Sequence, residues 1–387
     1  MPMKIALLRR MTSPLLVAFV ISGYVFLFSG ALTVSAKSAA DSPVVNWHPA
    51  SLVSQDLIQN SVPSSQQAAA TSVQSHKHQI RTIPYWTSSF QYLGKTYPYS
   101  MVGTNPTKGS AVTVVPALLI PVKLVLSDGS VYNGERKVRA ALNSPLFRPS
   151  SFSSGYTQYG DAIQRAEFWK YISTKSQFYH VWLTPPAVLP TLKINVPADQ
   201  GGKITRPSGV VFAGIDVNYL DNQLQTYMQR HHISPRTLPI FLTSDVLGTD
   251  QNGTLCCIGG YHNALPNADN SVIQTYAYAS YNDPGFSLKN PKVFTTTDGL
   301  SHEISEWYND PFTNNVVPNW SVPSQPQYGC NNALEVGDPL VGVGFDIGDY
   351  HLQDEAFLSW FAHQTPSIGI NGKYSYLGTF TTVASSC

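Results

Sequence analysis

Hydrophobic positions along the chain follow two periods, and the change from one to the other marks out the elements. The stretch "AVTVVPALLIPVKLVLSDGSVYNG" (111–134) runs through β-branched and aliphatic residues to an "SDG" turn, which predicts strands. Pro116 and Pro121 interrupt it, so these strands are expected at a sheet edge or a bulge, where a missing N–H is tolerated. In "GDAIQRAEFWKYIS" (160–173), Ile163, Ala166, Phe168 and Tyr171 recur at helical intervals behind Asp161, the expected N-cap. "DVNYLDNQLQTYMQRHH" (216–232) predicts a second amphipathic helix on Val217, Leu220, Leu224, Tyr227 and Met228.

"LPIFLTSDVL" (238–247) and "SVIQTYAYASY" (271–281) read as strands. The second alternates, with Ile273, Thr275, Ala277 and Ala279 on one face and Gln274, Tyr276, Tyr278 and Ser280 on the other. A third helix is expected from Asp298 to about Tyr308, where Asn309, Asp310 and Pro311 stop it. No internal repeat interrupts this order. It predicts one α+β domain over 81–387, a mixed sheet packed with a few helices and joined by long loops.

The N-terminal residues follow a different pattern. Lys4, Arg9 and Arg10 precede the apolar run "PLLVAFVISGYVFLFSGALTV", and "VSA" ends at Ala36, which together predict an export signal over 1–36. The run is long enough to span a bilayer, so an uncleaved anchor is the competing reading, and it is the chain's one expected contact with a membrane. Residues 37–80 ("SSQQAAATSVQSHKHQ" among them) are polar, with little periodic apolar content, and read as a linker or pro-segment. The expected location is outside the cytoplasm, secreted or in the cell envelope.

Charge narrows the function classes. Only 12% of residues are charged and the net charge is +1. Nucleic-acid binding needs clustered Lys and Arg to neutralise phosphates, and is excluded as an expectation. Four cysteines, Cys256, Cys257, Cys330 and Cys387, allow two disulfides in an oxidising compartment. Adjacent cysteines bridge each other only with strain, so Cys256 and Cys257 are expected to pair with Cys330 and Cys387, in either order.

Candidate chemistry concentrates in "TTTDGLSHEISEWYNDPF" (295–312). The chain has six glutamates, at 135, 167, 303, 306, 335 and 355, and half of them lie between 303 and 335. With glutamate so scarce, a chance histidine followed by Glu at both +1 and +4 has a probability of roughly 0.2%. Composition is therefore a poor account of His302, Glu303 and Glu306. Positions i and i+4 share a helical face, so His302 and Glu306 can grip one divalent ion, with Glu303 displaced to one side as a general base. The competing reading is an exposed amphipathic helix with Trp307 packed inward and its acids solvated.

An open catalytic site needs a third protein ligand. "NALEVGDPL" (332–340) offers Glu335 as that ligand, and Asp338 as a hydrogen-bonding partner of His302 or a substitute ligand, with Gly337 turning the backbone between them. Asp310, His262 and His351 are weaker candidates. One imidazole and two carboxylates make an oxygen-rich set that suits zinc and also accommodates Mn, Mg or Ca.

"SHEISEWYNDP", the following "EVGDP" and an upstream "CC" before "GYH" make the chain similar to secreted bacterial proteins of metallopeptidase type. The same residues resemble the EXORDIUM (phosphate-induced) family of plant cell-wall proteins. Asp310 stands where the plant pattern has asparagine, and Pro339 follows Asp338 where leucine and cysteine are usual. The resemblance covers about 210–345 and implies roles for His302, Glu303, Glu306, Glu335 and Asp338. It implies a zincin-like fold and two functions: a metallopeptidase acting on peptide or protein, or a non-catalytic binding protein that holds cell-wall polysaccharide around a structural ion.

Overall fold

A computed structural model describes residues 80–205, 209–249, 256–283 and 294–387. The expected signal at 1–36 and the linker that follows it to residue 79 lie outside them. The expected class is observed: the chain is α+β, built on mixed sheets with a few helices. None of the described helices is long and apolar enough to cross a membrane.

The principal sheet is ordered β2-β1-β3-β5-β4, with β1 Ala117–Leu126, β2 Leu192–Val196, β3 Leu238–Ser244, β4 Gly260–Pro266 and β5 Ile273–Tyr281. Strands β2, β1, β3 and β5 pair in parallel, and β4 closes the sheet antiparallel to β5. Parallel strands buried on both faces read as continuous apolar runs, and β3 ("LPIFLTS") is buried at every position. The expected single strand over 238–247 is two, because Asp245 turns into the left-handed region (φ 55°) before Val246–Thr249 joins a second, four-stranded sheet.

Pro121 corrects one expectation. It lies inside the central strand β1, not at an edge, but at the position where both of β1's neighbours change. Pairing to β3 ends at Pro121 and pairing to β2 begins at Val122. On the other flank of each, Ala187–Val188 pairs at Leu118 and Leu119, and Val131–Asn133 pairs from Lys123 to Val125. A residue without an N–H costs least where the ladder is already handing over.

Three helices matter here: α1 Tyr159–Glu167, α2 Val217–Arg230 and α3 Asp298–Asn309. Helix α1 stops at Phe168 and is followed by the separate turn Trp169–Ile172. Asp161 is not its N-cap. It sits inside the first turn, accepting from the Thr157 hydroxyl and the Val181 N–H, with Nδ1 of His180 2.7 Å away. Helix α2 is capped as its sequence implies, Asp216 accepting from the Tyr219 N–H.

The alternation of β5 survives, yet both faces are buried. Ala277 and Ala279 join the core under α3 with Leu300, Ile304 and Trp307, while Tyr276 and Tyr278 join the core of α2 with Leu220, Leu224 and Met228. Helix α3 is thus interior. Trp307 is fully buried and donates from Nε1 to the Thr275 hydroxyl at 2.9 Å. Truncating such a side chain costs about 3–5 kcal/mol. The exposed-helix reading fails, since Glu303 and Glu306 are each 4% exposed.

The disulfide expectation fails as well. Cys330 bonds to Cys387. The C-terminal residues return beside 320–321, where the Ser321 N–H donates to the Ser385 carbonyl, and this brings the last cysteine to Cys330.

Candidate metal centre

Helix α3 presents its apolar side to β5 and turns His302, Glu303 and Glu306 into a cleft whose other wall is strand β4. The approach is close. A β-carbon on Gly260 of β4 would lie 2.6 Å from Cγ of Glu303 and 2.7 Å from its Oε1. Only glycine leaves room for Glu303 there. The loop after Asn331–Ala333 supplies the third wall with Glu335 and Asp338. The cleft has a cavity volume of about 90 Å3.

His302 is oriented by a residue the sequence did not single out. Gln353 donates from Nε2 to the Gly337 carbonyl at 2.6 Å, which leaves its Oε1, 3.0 Å from Nδ1 of His302, as an acceptor. Nδ1 therefore carries the hydrogen, and Nε2 offers a lone pair to the cleft. That bare nitrogen is 3.1 Å from Oε2 of Glu306 and 3.6 Å from Oδ1 of Asp338. Donors around an ion with bonds near 2.1 Å stand about 3.3–3.6 Å apart in a tetrahedron, so the spacing suits a cation at the centre of the three.

Of the two loop acids, Asp338 lies where a substitute ligand was expected and Glu335 lies apart from His302. Asp338, not Glu335, stands beside His302, while Oε2 of Glu335 lies 4.0 Å from Nε2 of His262. The reason is the loop's anchor: the Gly337 N–H donates to Oε1 of Glu306 at 3.1 Å, and the residue after Gly337 lands next to the histidine.

His262, a minor candidate on sequence grounds, is drawn fully into the site. Its Nε2 lies 3.1 Å from the Asp310 carbonyl, an acceptor only, so Nε2 carries the hydrogen. Nδ1 then faces Oε2 of Glu306 at 3.6 Å and Oε2 of Glu303 at 3.7 Å. Asp310 itself contributes that carbonyl and not its carboxylate, which accepts from the Asn314 and Asn315 N–H groups at 3.0 Å each. His351 lies apart, paired through Nδ1 with Asp346 at 2.8 Å and 3.8 Å from Asp298 through Nε2. No sequence pattern marked His262 as inward-facing, because the larger apolar residues of β4, Tyr261 and Leu265, lie on its other face and nothing paired it with α3.

Electrostatics are severe in so small a space. Burial pushes Glu335 and Asp338 well above the usual carboxylate range, and the Glu306 charge adds to both. Burial works on Glu306 in the same direction, but without a cation the charge of a protonated His302 and hydrogen bonds from both protonated imidazoles outweigh it and hold this carboxyl below its ordinary range. Burial would lower His302, yet Glu306 and Glu303 raise it well above its usual value. Oε2 of Glu303 and Oε2 of Glu335 are buried without a hydrogen-bond partner. With both imidazoles neutral, lone pairs face lone pairs, and together with two orphaned carboxylate oxygens they form a donor set that could hold a divalent cation.

The arrangement defines a buried histidine–carboxylate centre at the mouth of an α+β fold. No protein-family model matches the chain, and no curated protein or solved structure matches it either.

Proposed function

We propose that the chain is an exported metal-dependent hydrolase of zinc-metallopeptidase type, acting on peptide or protein outside the cytoplasm. The observation that carries this reading is the His302 lone pair, fixed by Gln353 and directed at Glu306 and Asp338 with cation spacing between them. Zinc is the first choice of ion, and the two carboxylates also suit Mn, Mg or Ca. Export rests on the sequence pattern of residues 1–36.

A dication in this cradle would polarise a peptide carbonyl and make a water more acidic. Glu303 keeps Oε1 toward the same space, 3.9 Å from Nε2 of His302. It takes the water's proton as the oxygen attacks the carbonyl carbon. It returns that proton to the nitrogen as the C–N bond breaks, leaving an acid and an amine. His302, Glu306 and Asp338 would hold the ion, and Gln353 and Gly337 keep His302 and Glu306 in place.

The test is elemental analysis of purified protein, paired with cleavage of a peptide library with and without chelator. Bound metal and chelator-sensitive cleavage are expected. Metal-free protein after loading refutes the reading. Bound metal with no cleavage, and a melting temperature that drops on chelation, favours the alternative of a structural ion in a cell-wall binding protein.

A further inference from the structure

We propose a second divalent-cation seat beside the first, formed by Nδ1 of His262 with Glu303 and Glu306 and flanked by Glu335, so that Glu306 bridges two ions. It rests on the reading of His302, Glu306 and Asp338 as the first seat.

Two sets of donors converge in the cleft. His262, Glu303 and Glu306 can bring one ligand atom each to within 4.8 Å of one another, and so can His302, Glu306 and Asp338. Glu306 belongs to both, and the two histidines fall in neither set together. One ion therefore cannot take both imidazoles without rearrangement. The shared atom is Oε2 of Glu306, 3.6 Å from Nδ1 of His262 and 3.1 Å from Nε2 of His302. Its other oxygen is held by the Gly337 N–H. A carboxylate pinned at one oxygen, with the second between two bare nitrogens, is placed as a single-atom bridge.

The orphaned oxygens lie on the His262 side. Oε2 of Glu303 has no hydrogen-bond partner and is 3.7 Å from Nδ1 of His262; Oε2 of Glu335, also unpartnered, is 4.0 Å from the same ring's Nε2. Glu303 and Glu335 are 4% and 6% exposed. Glu303 clusters with His262 and Glu306 and not with the His302 set.

Charge balance gives the same answer. Glu303, Glu306, Glu335 and Asp338 are four carboxylates, and no lysine or arginine lines the cleft. Asp221, the remaining acid there, accepts from Tyr261, Tyr276 and Gln225. One dication against four ionised carboxylates leaves two negative charges to be met by protons, and two dications neutralise the set without them. With the second seat filled, Glu303 uses Oε2 on that ion and keeps Oε1 toward the first, as the proposed base requires.

Mn2+ titration of the metal-free full-length protein tests this, with bound metal counted after desalting and paramagnetic resonance recorded on the loaded sample. Two equivalents are expected, with an exchange-coupled spectrum, and a single uncoupled ion in His262→Ala, His262→Asn and His302→Ala. Wild-type protein that stops at one equivalent, lost in His302→Ala and kept in His262→Ala, overturns the second seat and leaves the first standing. One equivalent lost only with His262 takes down the His302 seat, and no binding overturns both. Should the His262 variants not fold, wild-type stoichiometry and spin coupling still decide.

Discussion

Gly337 and His302 pack so closely that a β-carbon on Gly337 would lie 2.5 Å from Nδ1 of the imidazole and 2.9 Å from its Cγ. The glycine is needed for what it lacks. Gly337→Ala must push the ring away from Glu306 and Asp338, and it disturbs the N–H that holds Glu306. Metal affinity is expected to fall by about 10–100-fold, measured by calorimetric titration, with about 1–3 kcal/mol of stability lost to overpacking.

In the proposed site Gln353 would act on the ion only through His302. Gln353→Leu removes the acceptor for Nδ1–H and should weaken binding by about 10–100-fold. Gln353→Glu keeps the acceptor for Nδ1–H but loses the donor to the Gly337 carbonyl, so it should recover only part of the loss. If both variants bind as tightly as wild type, Gln353 does not orient the histidine.

Glu303→Gln keeps the side-chain volume and removes the base. Peptide turnover should drop by at least about 10²-fold, while the ion held by His302 is retained. Turnover unchanged by this substitution would falsify the assignment of Glu303 as the proton carrier.

Glu167 gives a pH effect remote from the metal centre. Burial raises this carboxyl to about 8, against a partly compensating hydrogen bond from the Leu358 N–H. The unfolded chain ionises it near 4.5. Between those values the folded state holds the extra proton, so its contribution is complete below about pH 4.5 and is lost as pH rises toward 8. Denaturant titrations should show stability falling by about 1.4 kcal/mol per pH unit in that window. Glu167→Gln should flatten the slope.

The Cys330–Cys387 bond closes a loop of 57 residues. Replacing both cysteines with serine should lower stability by about 4 kcal/mol on loop entropy alone. A melting temperature unchanged by the double substitution would mean that the C-terminal return is held by packing instead.

Local pattern carried much of this protein. The 3.6-residue period placed α2 and α3 to within a residue or two, because each buries one apolar stripe, and it put His302 and Glu306 on one face. The period of two in 271–281 marked β5 and its two faces, although not that Tyr276 and Tyr278 would face a second core. Scarcity of glutamate singled out the acids that converge.

Contacts between distant segments were beyond that reach. That Asp338 and not Glu335 faces Nε2 of His302 depends on a hydrogen bond from Gly337 to Glu306. The drawing-in of His262 depends on β4 pairing at the sheet edge against α3, and the cysteine pairing on the last residues returning to 320–321. Side-chain periodicity is a property of the backbone helix or strand and is written in any short window of sequence. Which windows meet is set by the joint burial of surfaces far apart in the chain, and only the folded structure decides that.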